Sequence, residues 1–511
     1  MEDTRSDARK QIAGDLIRRL EFSSATALIK IVLCLIFAAA VFQLVPAATV
    51  SPPTDPVLQD DRALQSNGAL QADAVNGGPK GDSVGLSEPA RWTLFILTFA
   101  AGLWATEAIP AFAVALLVIG LQIMILGRPS DLSADSGIQW ESFAATLGSP
   151  LIWLFFGGFI LAAAAEKTGL NRWFACEVLR RLGSRPGPLL AGSMGVTFVF
   201  SMFISNTAAA TMMLAVMLPV VGSLGPQDRF RKGMVLGIAF AANLGGMGTV
   251  IGSPPNAIAA GALANIQQPI DFFRWMVAAA PPALLMIVLV WGYLIYRYRP
   301  AVKQLDLAAF AAASSPSKLP AWRRMLVVMV FAATVLLWLT QSFHGIPSTV
   351  VAFLPICVLC AAGVLDADDI CEIRWDVLLL IAGGLSLGLA VTETGLASWL
   401  VGLLPLDVFS SSAVILLLVY VTMALSNVMS NTAAANIVVP IAIAMAVGAE
   451  AATVVPVAIG ASAAMCLPIS TPPNAIAYGT GQITSADLIQ GGLWIGLLAP
   501  LVSVAWCSWV L

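Results

Sequence analysis

A six-residue string, Ser-Asn-Thr-Ala-Ala-Ala, occurs twice in this chain, at residues 205–210 and again at 430–435. Each copy lies deep in a long apolar region. About 40 to 50 residues after each start comes a second string, Pro254-Pro255-Asn256-Ala257-Ile258 and then Pro472-Pro473-Asn474-Ala475-Ile476. A bilayer offers no water to backbone polar groups. A polar tripeptide and a double proline are tolerated at that depth only where they are buried in protein or line a cavity. Two such pairs at matched positions restrict the chain to a duplicated bundle whose binding site is made of broken helices.

The apolar regions are continuous, which sets the class. The sequence is 59% hydrophobic and only 11% charged, against about 25% charged for a soluble domain. A water-facing surface of ordinary size cannot be assembled from it. A membrane β-barrel would alternate apolar and polar residues in stretches of about ten, so the expected fold is an all-α polytopic membrane protein embedded in the lipid bilayer. A net charge of −3 argues against a nucleic-acid partner. The seven cysteines are scattered. Cys34, Cys466 and Cys507 lie in apolar runs, and Cys357 and Cys360 lack the partner pair of a metal site, so all are read as small hydrophobes.

Residues 1–24 are polar and carry Arg5, Arg9, Lys10, Arg18 and Arg19, as an amphipathic cytoplasmic segment would. Residues 25–45 form the first span; the run is long for a cleaved signal peptide. Residues 46–90 are rich in Pro, Gly, Asp, Ser and Gln and read as an external, disordered loop. A first repeat occupies 91–296, a basic cytoplasmic connector 297–324, and a second repeat 325–511. Within the first, spans are expected at 91–106 and 110–127, joined by Thr106-Glu107-Ala108-Ile109-Pro110, and at 150–166 with Gly157-Gly158. The stretch 187–221 has basic residues at both ends and Ser-Asn-Thr in its middle, so it is a re-entrant hairpin rather than a span. The stretch 233–264 is a span expected to unwind at Gly252-Ser253-Pro254-Pro255-Asn256, and 275–296 is the next. About eleven transmembrane helices plus two re-entrant hairpins result.

The register between repeats is long. Gly383-Gly384 and Thr394-Gly395-Leu396 lie 226 residues after Gly157-Gly158 and Thr168-Gly169-Leu170, and Trp399 lies 226 after Trp173. The Ser-Asn-Thr copies are 225 apart and the Pro-Pro-Asn copies 218. An odd number of crossings separates the copies, so they should run in opposite orientations. Charge agrees: Arg172, Arg180, Arg181 and Arg185 follow the first Thr-Gly-Leu, whereas no Lys, Arg or His follows Arg374. By the positive-inside rule the first hairpin opens to the cytoplasm, the second to the outside, with the N-terminus inside and the C-terminus outside a cell (inner) membrane.

Half-helices expose unpaired N–H groups at one end and unpaired C=O groups at the other. The first attract anions and the second cations. Ser, Asn and Thr add oxygens for a hard cation and donors for a carboxylate, and the alanines permit close packing. Neither tip has a carboxylate, as a proton-coupled pump would, and neither has a basic residue to meet an anion. Sodium bound by neutral oxygens, with helix dipoles, could supply that charge. One such tripeptide could be mere helix glue; two at matched positions favour cation-coupled uptake of a small polar anion. Ser201 and Ser426 each precede a tip serine by four residues, on one helix face. Asn427 is read as a structural hydrogen bonder and His344 as a surface residue. Glu107 and Glu166 are read as capping or pairing carboxylates, and the tryptophans as interfacial anchors.

At these residues the chain resembles the divalent anion/sodium symporter family, over roughly 91–511. The resemblance implies a first sodium site at Ser201, Ser205, Asn206 and backbone near Gly252, and a second at Ser426, Asn431 and backbone near Met429 and Ser470. It implies substrate contacts from Asn206, Thr207 and Ser253 in one half and Asn431, Thr432 and Thr471 in the other. It also implies a homodimer working by an elevator-like shift. The residue after Ser426 is Asn427, where carriers of this family often have an acidic residue. The expectation is sodium-coupled symport of C4-dicarboxylates such as succinate, malate or fumarate. The alternatives are a sulfate or citrate carrier, or a sodium-independent exchanger. Two opposed hairpins argue against an anion channel. No paired carboxylates or nucleophile–base pair lies at membrane depth, so no catalytic residue is expected and the chain is not read as an enzyme.

Overall fold

The computed structural model describes residues 25–47, 85–127, 138–305, 320–402, 410–446 and 448–511. The N-terminal segment 1–24, most of the 46–90 loop and the middle of the 297–324 connector lie outside these. Between described residues the β-pairing is one isolated bridge, Ala47 to Leu86; the named elements are all helices. Eight helices among these residues are long and apolar enough to cross a membrane. The protein is an all-α, multi-pass membrane protein.

The first helix, Ala25–Leu44, exposes Leu28, Ile29, Leu33, Ile36 and Phe37 on one side, as a helix facing lipid does. Its other side lies on Glu88–Thr106, where a Cβ on Gly102 would come within 3.0 Å of the Cys34 sulfur. Lys30 Nζ donates to the Thr106 carbonyl at 2.9 Å. Glu107 then turns the chain in the left-handed region, at φ 49°.

The Gly-Gly pairs explain how the two repeats interlock. A Cβ on Gly157, in helix Pro150–Lys167, would lie 2.6 Å from the Ala352 carbonyl oxygen of the second repeat. A Cβ on Gly383, in helix Trp375–Glu393, would lie 2.7 Å from the Ala115 Cα of the first. Each repeat therefore sends its glycine helix against a span of the other, closer than any side chain allows. At Ala352 the apolar stretch divides into Ser348–Val351 and Phe353–Ala361.

Each Ser-Asn-Thr string lies at a turn between two helices, and one helix of each pair, Asn206–Ser223 and Ser411–Val428, is among the eight long enough to span. Pro186–Ser201 turns through residues 202–205 into Asn206–Ser223. Ser411–Val428 turns through Met429 and Ser430 into Asn431–Met445. Beside them run the two broken helices. Phe230–Met247 is buried along its length except for Arg231 and Lys232, and it is followed by Pro254–Asn265. Glu450–Ala463 is followed by Pro472–Gly479.

One expectation needs correction here. The first break lies at 248–253, and Pro254 and Pro255 begin the next half-helix instead of sitting in the unwound stretch. The second break, 464–471, likewise ends where Pro472 begins a helix. Proline suits the first helical position, because its missing N–H would be unpaired there anyway and its φ is preset. The glycines before the first break are not at positive φ either. They serve close approach: a Cβ on Gly252 would lie 2.6 Å from the Gly246 carbonyl oxygen.

Candidate functional site

The site is built from four helix beginnings. Ser205 and Ser430 are the N-cap residues of the second arm of each hairpin, with nearly identical backbones (φ −62°, ψ 143° and φ −64°, ψ 144°). Each serine oxygen accepts a hydrogen bond from the backbone N–H three residues on, Ala208 and Ala433, both at 3.2 Å. Asn206 and Asn431 are then the first helical residues, Thr207 and Thr432 the second. Ser253 and Thr471 are the N-caps of the two half-helices that follow the breaks. All six residues expected to contact an anion thus lie at the start of a half-helix, where backbone N–H groups are unpaired. The packing is crosswise: Asn206–Ser223 lies against Pro472–Gly479, and Asn431–Met445 against Pro254–Asn265.

Behind each tip is a cluster of oxygens. Ser201 Oγ lies 2.7 Å from Asn206 Oδ1 and 2.6 Å from the carbonyl oxygen of Ala242. In the second repeat Ser426 Oγ lies 2.8 Å from Asn431 Oδ1 and 2.7 Å from the carbonyl oxygen of Ala461. Both serines are fully buried. A hydroxyl carries one hydrogen, so it can donate to only one of its two oxygen neighbours at a time. The other close oxygen pair is relieved by a cation at the trio or by an amide turned to present its Nδ2. The donor set is all neutral oxygen, which suits a hard monovalent cation.

Of the other expected cation residues, Gly252 connects through Gly246: a Cβ on Gly246 would come within 2.3 Å of Asn206 Oδ1. Ser470 Oγ donates towards Asn427 Oδ1 at 3.0 Å, two residues before Met429. Ser205 uses its side-chain oxygen as a helix cap, with a lone pair to spare.

The unwound segments are pinned by Thr249 and Asn427, which lie outside the duplicated strings, and by the asparagines of the Pro-Pro-Asn strings. Thr249 Oγ1 donates to the Met202 carbonyl in the turn of the first hairpin. Asn427 Oδ1 accepts from the Cys466 backbone N–H at 2.9 Å and so holds the second break to its hairpin; this fits its reading as a structural hydrogen bonder. Asn256 and Asn474 play matching parts. Asn256 Nδ2 donates to the carbonyls of Gly246 (2.8 Å) and Thr249 (2.7 Å). Asn474 Nδ2 donates to those of Met465 (2.9 Å) and Leu467 (3.0 Å). Each thereby satisfies carbonyls that the break leaves without helical partners.

Two of the contacts that cross between the halves of the chain lie beside the breaks, and sequence reasoning missed both. Asn243 Nδ2 donates to Asn474 Oδ1 at 3.0 Å, and the hydroxyls of Ser253 and Ser462 lie 3.1 Å apart. The only sequence signal was a single polar residue within an otherwise apolar helix.

Two cavities reach the hairpin tips. One, of about 340 Å³, touches Ser205 and Ala208 and is lined by Glu166, Lys167, Asp369 and Arg374. The other, of about 570 Å³, touches Ser430 and is lined by Lys30, Trp104 and Glu107. A third and larger one, about 780 Å³, lies between Glu88, Gln139 and Glu393 and touches none of the expected residues. Volume is no guide to the chemistry here; the tip cavities lead to the polar residues. At the first, Lys167 bonds Asp366 at 2.9 Å and also Asp369. That hydrogen bond from the ammonium holds the Asp366 carboxyl down to about 2. His344 is half-buried and bonds locally, accepting from the Ile346 N–H at 3.0 Å.

Known proteins resemble this chain over most of its length. The profile of a family described as citrate transporter matches residues 101–458. The sodium-dependent dicarboxylate transporter SdcS of Staphylococcus saprophyticus is 31% identical over 454 residues, covering 82% of this chain and 86% of that protein. SdcS of Staphylococcus aureus (strain NCTC 8325 / PS 47) is 30% identical over 447 residues, covering 81% and 83%. Among solved structures, the YdaH transporter of Alcanivorax borkumensis superposes with a TM-score of 0.51 at 15% identity, covering 79% of this chain and 98% of that one. That likeness concerns the fold alone.

Proposed function

The chain belongs to the citrate-transporter family, of divalent anion/sodium symporter type, and from that premise we propose that it couples sodium entry to uptake of small dicarboxylates. The observation that carries this is the duplicated trio of Ser hydroxyl, Asn amide oxygen and backbone carbonyl behind each tip. Sodium binds at Ser201, Ser205, Asn206 and Gly252, and at Ser426, Asn431, Met429 and Ser470. The anion lies among the helix beginnings at Asn206, Thr207, Ser253, Asn431, Thr432 and Thr471. No basic side chain stands among these residues, so the bound cations and the N–H ends of half-helices balance the anion's charge. Sodium first, dianion second is the order that this electrostatics favours.

In this reading the repeats 91–296 and 325–511 are inverted in the membrane, with the N-terminus cytoplasmic and the C-terminus outside. Hairpins and broken helices move as a unit against the remaining spans, in a homodimer. C4-dicarboxylates such as succinate are the favoured cargo, since the names of the similar SdcS proteins specify dicarboxylate. Citrate is the second reading, because the matching family profile is described by it.

The test is uptake of radiolabelled succinate into proteoliposomes under an inward sodium gradient, against an equal potassium gradient. Sodium-dependent uptake, competed by malate or fumarate, is expected. Uptake that appears only with internal dicarboxylate would replace symport by exchange. Asn206→Ala and Asn431→Ala should each abolish the sodium-driven component while leaving the folded protein intact by size-exclusion chromatography. Wild-type rates at matched protein level would remove the site assignment.

A further inference from the structure

Resting on the transport reading above, we propose that Ser462 is a positioning residue for the anion half-site of the opposite repeat: its hydroxyl reaches across the repeat boundary and orients that of Ser253. Neither the motifs nor the family resemblance assigns Ser462 a role. It lies on Glu450–Ala463, ahead of the second break, and is 1% exposed; Ser253 is 3% exposed.

The two half-sites are held in different ways. Thr471, the counterpart of Ser253, accepts a hydrogen bond from the Asn474 backbone N–H at 3.4 Å, so its hydroxyl is tied to its own helix. Ser253 stands at the same N-cap position without that bond. The contact that fixes its hydroxyl is the one to Ser462, at 3.1 Å. When Ser462 donates to Ser253, the Ser253 proton stays free to point at a carboxylate. A hydroxyl with one donor and two acceptor lone pairs permits this division.

The reciprocal position supports the same conclusion. Asn243 and Ser462 hold matching places, since each follows the residue, Ala242 or Ala461, whose carbonyl meets the buried serine of its own half. Asn243 reaches across the boundary and donates to Asn474 Oδ1. By the repeat's own symmetry Ser462 faces Asn256, but a serine is shorter than an asparagine. Ser462 bonds Ser253 instead, and Asn256 Oδ1, fully buried, has no protein partner. One cross-repeat contact thus braces a loop, and the other sets a substrate-facing hydroxyl.

The experiment compares wild type, Ser462→Ala, Ser462→Thr, Ser253→Ala and the Ser253→Ala/Ser462→Ala double variant. Sodium-driven uptake of radiolabelled succinate is measured in proteoliposomes, with thermal midpoints in detergent. Ser462→Ala should raise KM about threefold to tenfold, the scale of one neutral hydrogen bond, with maximal rate per folded protein nearly unchanged. Ser462→Thr, which keeps the hydroxyl, should restore KM. The double variant should be no worse than Ser253→Ala alone, since both changes remove one interaction. Additive effects, an unchanged KM in Ser462→Ala, or a KM rise that Ser462→Thr fails to reverse would each overturn the inference. Should Ser462→Ala not fold, the Ser462→Thr KM decides: a value raised as in Ser253→Ala overturns it, and a wild-type value supports it. A wild type that takes up neither succinate, citrate nor sulfate would overturn the transport reading itself, and this inference with it.

Discussion

Asn206 has little room to move. Its amide oxygen is 2.7 Å from the Ser201 hydroxyl, and the face of Gly246 closes the other side. A Cβ there would lie 2.3 Å from Oδ1 and 2.6 Å from Nδ2. Gly246→Ala should therefore push the amide off Ser201 without entering the site itself. We expect a roughly 10- to 100-fold loss of sodium affinity, read as the sodium concentration for half-maximal uptake. Gly248→Ala is the control: its Cβ would meet the Met202 side chain at 3.1 Å and the Gly245 carbonyl oxygen at 3.3 Å, neither of them part of the oxygen trio, and should change that value little. The asparagines were legible in the sequence because they are duplicated. Gly246 was not, because nothing in the string Gly245-Gly246-Met247-Gly248 tells which glycine faces an amide. Ser462 and Asn243 were hidden for a related reason: a lone polar residue in an apolar helix has no motif, and its partner lies in the other half of the chain.

At the level of the helix, the glycine pairs set how closely the repeats approach. Gly383→Ala would drive a Cβ to 2.4 Å from the Ala115 Cβ and 2.7 Å from its Cα. Neither atom can rotate away, so the helices must part, at a cost of about 1–3 kcal/mol. A lowered thermal midpoint in detergent is the expected outcome. Gly388→Ala, on the same helix, has its nearest neighbour at 3.9 Å and should be neutral or slightly stabilising, since alanine is the better helix former; equal losses from both would show that the close contact at Gly383 does not decide. The sequence revealed the hairpins well, since a polar tip between two apolar arms must be surrounded by protein at membrane depth. It misplaced the breaks, because proline signals a helix boundary without saying on which side the helix lies. Pro254 and Pro472 start helices, and the chain unwinds just before them.

Across the whole molecule, the two halves are joined at many points, among them the glycine helices, Asn243 with Asn474, Lys232 with Asp487, and the brace from Lys167 to Asp366 and Asp369. The brace is the part that responds to acid. The Asp366 carboxyl is held down to about 2, below its ordinary 3.8. Its contribution is therefore complete above pH of about 4 and is lost as pH falls through about 2. Both partners are partly exposed, so the effect is small and screened. Thermal midpoints of wild type and Lys167→Met should differ at neutral pH and converge on acidification through that window. A constant difference would mean that Lys167 acts by packing. The long registers of 226, 225 and 218 residues made the duplication readable, whereas the crosswise interlock belongs to three dimensions and leaves no trace in spacing. The oxygen trios behind the tips have one more consequence. Every residue in them, and every residue at the four helix beginnings, keeps a constant charge through the physiological pH range. The machinery is acid-blind at its centre. In the proposed transport, a pH profile of uptake would then chart the fraction of dicarboxylate present as dianion, making the protein in effect a titration meter for the molecule it carries.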